Sequence, residues 1–276
     1  MADRVVVIGR GRLGGRVARA VSAQLVGGRE HSLEVVRAAE VIVIAVPDPA
    51  IESVAERIAP VLDASHVVLH CAGSRGRDVL ASCAARGAST GVMHPLVAIA
   101  SEESVLADRT FVIDGDARAI DAASRIARAC EARVMIAPLH GAAYHAAAAL
   151  VANGSTALAA VGVSILERLG ATREDAERAV AGLLASVAQN VASVGVPRAL
   201  TGPIARGDAG TVGRHREALA EIDREALAAY DGVAPAVLDV ASRAGLDPKA
   251  RRAIRRALSG RSSASPAGSR RAPRRR

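Results

Sequence analysis

The chain has 276 residues, half of them hydrophobic, with a formal net charge of +8 and few aromatics: two Tyr, one Phe and no Trp. That length suits two domains, each able to bury a core, and the hydrophobic half excludes a wholly unfolded chain. Eleven of the 36 bases follow Asp247, where no acid stands, which leaves 25 bases against 28 acids before it and excludes a core built to bind nucleic acid.

Val5-Val6-Val7-Ile8 runs into Gly9-Arg10-Gly11-Arg12-Leu13-Gly14 and then Val17-Ala18-Arg19-Ala20-Val21. An apolar strand, a glycine turn and a helix start, in that order, build a pyrophosphate site from backbone geometry. Gly9 permits the tight turn, Gly11 lets the backbone approach the phosphates, and Gly14 lets the helix pack against the strand. The helix start offers unpaired N–H groups and partial positive charge to an anion. Residues Gly9, Arg10, Gly11, Arg12, Leu13 and Gly14 are therefore the expected cofactor turn. The first helix is about a turn shorter than usual, and Gln24-Leu25-Val26 is a weak second strand. An acid after that strand suits the ribose of NAD, whereas an Arg suits the 2′-phosphate of NADP. Arg29, with His31 and Ser32 beside it, favours NADP; Glu30 keeps NAD as the alternative.

Val41 to Val46 is a continuous apolar run stopped by Pro47-Asp48-Pro49. Val46, Pro47 and Asp48 either pass near the cofactor or form a plain Asx-turn. A helix pattern follows at Ile51, Val54 and Ile58. Val67-Val68-Leu69 then ends at Cys71-Ala72-Gly73-Ser74, Gly91-Val92-Met93 precedes His94-Pro95, and Phe111-Val112-Ile113 precedes Asp114-Gly115. Unbroken β-branched runs alternating with helices predict a parallel sheet covered on both faces, here over residues 1–138. Beyond 139 strand signals stop, and helices are predicted at 140–169, 172–194, 211–230, 234–244 and 248–258. Thr172 with Asp175 reads as a capping box, Gly195 and Gly245 as stops, and Asp247-Pro248 as a start. The predicted fold is an α/β Rossmann-type parallel sheet followed by an all-helical domain over 139–258. Residues 259–276, rich in Ser, Pro, Gly and Arg, read as a disordered basic tail.

Cys71, Cys83 and Cys130 show neither CxxC nor Cys/His spacing, so no disulfide framework or metal site is expected, and a reducing cytoplasm fits. A strand beginning at Val5 leaves no room for a signal peptide. No uninterrupted apolar run reaches the roughly 18–20 residues of a membrane span; Ala146–Ala152 is bounded by His145 and Asn153.

Four further motifs follow in order: Ala45-Val46-Pro47-Asp48, Gly91-Val92-Met93-His94-Pro95-Leu96, Tyr144-His145 with Asn153, and Thr201-Gly202-Pro203-Ile204-Ala205-Arg206-Gly207-Asp208 with Thr211 and His215. Together they resemble a bacterial family of predicted NAD(P)-dependent oxidoreductases whose C-terminal half is known as domain of unknown function 2520. The resemblance covers roughly residues 4–230. It extends more distantly to pyrroline-5-carboxylate reductases, 6-phosphogluconate-type dehydrogenases and prephenate dehydrogenases. It implies a Rossmann domain, a helical domain that commonly dimerises, and a cleft between them; it supplies no substrate.

Hydride transfer needs a proton donor or acceptor beside the nicotinamide, outside the carboxyl ends of the strands. His94 titrates near neutrality in its ordinary state, and its His-Pro-hydrophobic turn is similar to one in prephenate dehydrogenases where the His contributes to catalysis. His145, Ala149 and Asn153, four residues apart, share one side of a helix whose alanines leave room for a ligand. Tyr144 is either a core anchor or a site residue, and His94 or His145 with Tyr144 would handle the proton. Asn153 could orient substrate or nicotinamide. Ser74 resembles the small-residue loop that touches substrate in the distant relatives. Arg206 either clamps an anionic substrate or pairs with Asp208 to lock its loop. The expected function is hydride transfer between NADP(H) and a small C=O or C=N substrate, anionic if Arg206 clamps it, in a homodimer without a membrane. The alternative is a non-catalytic dinucleotide sensor or interaction protein. Nucleic acid enters only as a partner of the tail.

Overall fold

The computed structural model of the chain describes residues 4–29, 32–101 and 104–260. Its contacts divide the chain into Met1–Asn153 and Gly154–Arg276, a boundary later than residue 138 and inside a long helix.

The first unit runs β1 (Val5–Ile8), α1 (Arg12–Ala20), β2 (Gln24–Val26), α2 (Leu33–Arg37), β3 (Val41–Ile44), α3 (Ile51–Ile58), β4 (Val67–His70), α4 (Ala81–Ala84), β5 (Ser89–Leu96), β6 (Thr110–Gly115), α5 (Ala117–Ala129) and β7 (Arg133–Ile136). The seven strands form one sheet in the order β2-β1-β3-β4-β5-β6-β7. Winding reverses between β1 and β3, so their carboxyl ends open a crevice there. Val6, Ile8, Ile42, Ile44 and Val68 face one apolar layer with α3, while Val7, Val41, Val43, Val67 and Leu69 face the other with α1 and α5. Strands buried on both faces need no polar alternation, which is why VVVI and VIVI read as unbroken runs. Ile42 and Ile44 are fully buried, and each such side chain contributes about 1.5–3 kcal/mol of transfer free energy.

The sheet is not wholly parallel, as the sequence led us to expect: β6 runs antiparallel to β5, with His94 opposite Val112 and Pro95 opposite Phe111. His94-Pro95 therefore lies inside β5 rather than in a turn after it. Pro95 is tolerated because β4 stops at His70, paired with Val92, so that side of β5 has no ladder left to break. The edge strand β7 has no counterpart in the sequence reading. Only three of its residues form an apolar run, and Met135 and Ile136 are exposed.

The long helix α6 (Ala142–Arg168) leads into the second unit, which continues with α7 (Arg173–Val194), α8 (Ala209–Ile222), α9 (Arg224–Arg243) and α10 (Pro248–Leu258). The expected helices 211–230 and 234–244 are redistributed. The chain breaks at Asp223, whose carboxylate accepts from the N–H groups of Glu225 and Ala226, and α9 then continues through Pro235. The core joins Ile204, Val212, Leu238 and Ile254. Arg216 ties three helices together, holding Asp231 through two bonds of 2.7 and 2.9 Å and donating to the Ala257 carbonyl at 3.1 Å. No residue of α6 is buried in this chain alone. Among the described residues α6 is the one helix apolar and long enough to cross a membrane, with a mean hydropathy of 1.7 once its polar interruptions are averaged.

Candidate active site

The glycine turn is built on close backbone approach. Gly9 has φ of +129°, and a Cβ there would lie 2.2 Å from the Ala45 carbonyl oxygen; a Cβ on Gly14 would lie 2.0 Å from the Gly9 oxygen. Gly11 starts α1 with no side-chain cap, and nothing lies within 4 Å of where its Cβ would be. The first-turn N–H groups therefore face an open cradle shaped for a pyrophosphate. Arg10 is exposed beside it, and Leu13 packs against the core. Arg12 donates to the Ile99 carbonyl, while Arg16, which the sequence reading passed over, grips the Ser101 and Ser104 carbonyls. Two arginines of α1 thus hold the loop that follows β5.

Arg29 is exposed in the loop after β2. Arg57 of α3, also passed over, donates to the carbonyls of Gly28 and Arg29 and fixes that loop. Ser32 is a helix cap, accepting from the Glu34 N–H. Glu30 and His31 lie outside the described residues, as does 261–276, which holds most of the expected tail.

At the carboxyl ends of β3, β4 and β5 the structure brings six expected residues together. Val46 packs at the edge of the core beside Gly28, and Pro47 leads into a short turn opened by Asp48. Ser74 donates a short hydrogen bond to the Asp48 carboxylate. Next to them the His94 Nδ1 and the Tyr144 hydroxyl are 2.7 Å apart, their rings edge to face. Gly73 packs on the His94 ring so tightly that a Cβ would fall 2.7 Å from it. Burial pushes the His94 imidazole down to about 4, helped by the charge of nearby His145, and burial raises the Tyr144 phenol. Near neutral pH the pair is an uncharged imidazole bonded to an intact phenol. β5 lies three strands from β1, about 14 Å at the usual spacing, a gap that a dinucleotide lying along this edge crosses.

Asn153 does not join this cluster. It lies on α6 two turns beyond His145, about 12 Å along the axis, and is exposed. Cys71, beside the Ser74 loop, is chemically quiet: burial pushes its thiol up to about 12. Among the described residues no cluster of His, Cys, Asp and Glu could hold a metal ion.

Residues 5–95 match the Rossmann-like domain family, and residues 109–237 match the family described as Domain of unknown function (DUF2520). The two matches follow one another along the chain. No curated protein matches it. Solved structures of like fold include a protein from Thermotoga maritima, 23% identical over 87% of this chain and 99% of that one, with a TM-score of 0.63. An imine reductase from Streptomyces aurantiacus is 16% identical over 92% of this chain and 98% of its own, with a TM-score of 0.60. A pyrroline carboxylate reductase from Plasmodium falciparum, solved with NADP bound, is 14% identical over 91% and 98%, with a TM-score of 0.58.

Within the stretch that matches DUF2520, the Thr201–Asp208 block is first of all architecture. Ile204 enters the core, and Asp208 caps α8 by accepting from the Thr211 N–H and hydroxyl, with Arg214 on the same hydroxyl. The Thr211 bonds hold the Asp208 carboxyl below its usual range, and the charges of Arg214 and Arg206 add to this; Arg206 is exposed on the loop. The second unit also has an apolar cavity of about 370 Å³ with Thr201, His215 and Tyr230 in its wall.

Because the fold depresses the His94 pKa, unfolding lets that imidazole take up a proton between its ordinary value near 6.5 and about 4. This contribution to stability is complete above the unfolded value and is lost as pH falls through that window. We expect urea midpoints of the wild type to fall more steeply between pH 6.5 and 4 than those of His94→Gln; parallel pH profiles would contradict a buried neutral His94.

Proposed function

We propose that the chain is an NADP(H)-dependent oxidoreductase that moves a hydride between the nicotinamide and a small C=O or C=N substrate. The observation that carries this reading is the His94–Tyr144 pair at 2.7 Å, on the same carboxyl edge as the open glycine cradle. Structural neighbours that include an imine reductase and a reductase with NADP bound support it. Gly9, Gly11 and Gly14 would hold the pyrophosphate, Arg29 a 2′-phosphate, and Asp48 with Ser74 the approach to the nicotinamide. The bound dinucleotide supplies or accepts the hydride; the chain handles the proton.

With Nδ1–H of His94 donating to the Tyr144 oxygen, the phenol O–H is free to point at a carbonyl or imine and protonate it on reduction. In the other tautomer the phenol donates to Nδ1, and its oxygen is left to accept from a substrate O–H or N–H. The resting pair buries no charge; giving a proton leaves a phenolate and taking one leaves an imidazolium, and exchange with solvent then restores the neutral pair. His145, whose charge acts on His94, would contact substrate from the first turns of α6.

In a panel of keto acids and cyclic imines we expect NADPH consumption with at least one member. Tyr144→Phe should lower kcat by about 10²-fold with NADPH affinity retained; full activity in Tyr144→Phe would remove the phenol from the chemistry.

We further propose a homodimer formed through α6 and α7, in a reducing cytoplasm where Cys71, Cys83 and Cys130 stay free thiols. Leu150, Val151 and Leu183 are 76%, 71% and 66% exposed, and an apolar surface of that extent is ordinarily covered. Asn153, Ser155 and Thr156 on α6 favour a second protein copy over lipid as the cover. Light scattering in detergent-free buffer should give twice the chain mass; a monodisperse monomer, or protein recovered only with detergent, would contradict the proposal.

A further inference from the structure

His70 ends β4, is fully buried, and belongs to none of the sequence motifs. Both of its ring nitrogens are used within six residues. Nε2 lies 2.9 Å from the Gly76 carbonyl, and Nδ1 accepts the Ala72 N–H at 3.2 Å. This fixes the tautomer: Nε2 carries the proton and Nδ1 the lone pair. The ring closes the Cys71–Gly76 loop as a covalent bridge would, but with hydrogen bonds.

That loop touches three elements around the His94–Tyr144 pair. Its Gly73 packs on the His94 ring, and the Gly73 carbonyl accepts from the Gly141 N–H at 3.0 Å, just before the helix that carries Tyr144. Its Ser74 reaches Asp48 at the end of β3. A loop free to open would uncover His94, release the start of α6 and move Ser74 away from Asp48.

We infer that His70 is a positioning residue, whose two hydrogen bonds hold the Cys71–Gly76 loop against the His94–Tyr144 pair. The inference rests on the reading of that pair as the proton-handling group. Burial, aided by the charge of His140, lowers the His70 pKa; the bond to the Gly76 carbonyl and the carboxylates of Asp48 and Asp78 oppose this only in part, so the lone pair on Nδ1 remains available to Ala72. A His that merely filled space would need neither bond.

The test follows the His94 ring by histidine NMR in the full-length protein, which requires neither substrate nor cofactor. The groups that act on His94 are His145, Asp48, His70 and the bonded Tyr144. Two substitutions, His70→Gln and His70→Leu, both remove the ionisable His70 ring; only Gln keeps an Nε2–H donor for Gly76. We expect His94 to titrate near 4 in the wild type and close to that in His70→Gln, and to move toward its ordinary 6.5 in His70→Leu as water reaches the ring. A folded His70→Leu protein in which His94 still titrates as in the wild type would overturn the inference. Should His70→Leu fail to fold, amide exchange in the wild type decides. The Ala72 N–H must exchange as slowly as those of β4, and rapid exchange there would mean the bond to Nδ1 is not made. Wild-type protein that reduces no carbonyl or imine would defeat the functional reading while leaving these titrations to judge His70.

Discussion

The carboxyl edge of the sheet is organised by one close approach, that of the Gly9–Gly14 turn to the end of β3. The Ala45 carbonyl occupies the place where a side chain on Gly9 would begin, and the Gly9 carbonyl occupies the same place for Gly14. Each contact lies well inside van der Waals distance for a Cβ, so relief would require moving a strand rather than rotating a side chain. Because α1 can sit this close, its first-turn N–H groups reach the crevice between β1 and β3. Strand order then sets the positions of β4 and β5, and with them His94.

The second constraint is electrical. Near neutral pH His94 and Tyr144 are both uncharged, which suits a partly buried position where an unpaired ion would cost several kcal/mol. The surrounding contacts are local and directional: Gly73 against the ring, Ser74 on Asp48, His70 closing the loop beneath. Charged groups work at the periphery instead. Arg12, Arg16 and Arg57 spend their guanidinium groups on backbone carbonyls, holding the loops on either side of the crevice.

The fold was legible in the sequence because its strongest signals are backbone requirements. The glycine turn, the VIVI strand and the Asp247-Pro248 start each have few conformational alternatives. The orientation of β6 was not legible, since an apolar run such as Phe111–Ile113 carries no mark of direction. Pro95 looked like a stop because its neighbour β4 ends three residues earlier, a fact about pairing rather than about β5 itself. His94 and Tyr144 were recognisable as residue types, but their 2.7 Å contact spans 50 positions and follows only from the sheet order. His70 left one usable signal: like His94, it closes a buried apolar run. Its partners are backbone atoms, which a sequence does not distinguish.

The central claim is that this edge holds a nicotinamide dinucleotide, read at its ribose by Arg29. The most direct measurement is titration of the purified full-length protein with NADPH and NADH, followed by the emission of the reduced nicotinamide against the low background of a chain without Trp. The account predicts saturable binding of both, tighter for NADPH by about tenfold or more, as one charge-assisted contact to the 2′-phosphate would give. Binding of neither would contradict it, and the reading of the Gly9–Gly14 turn would go with it.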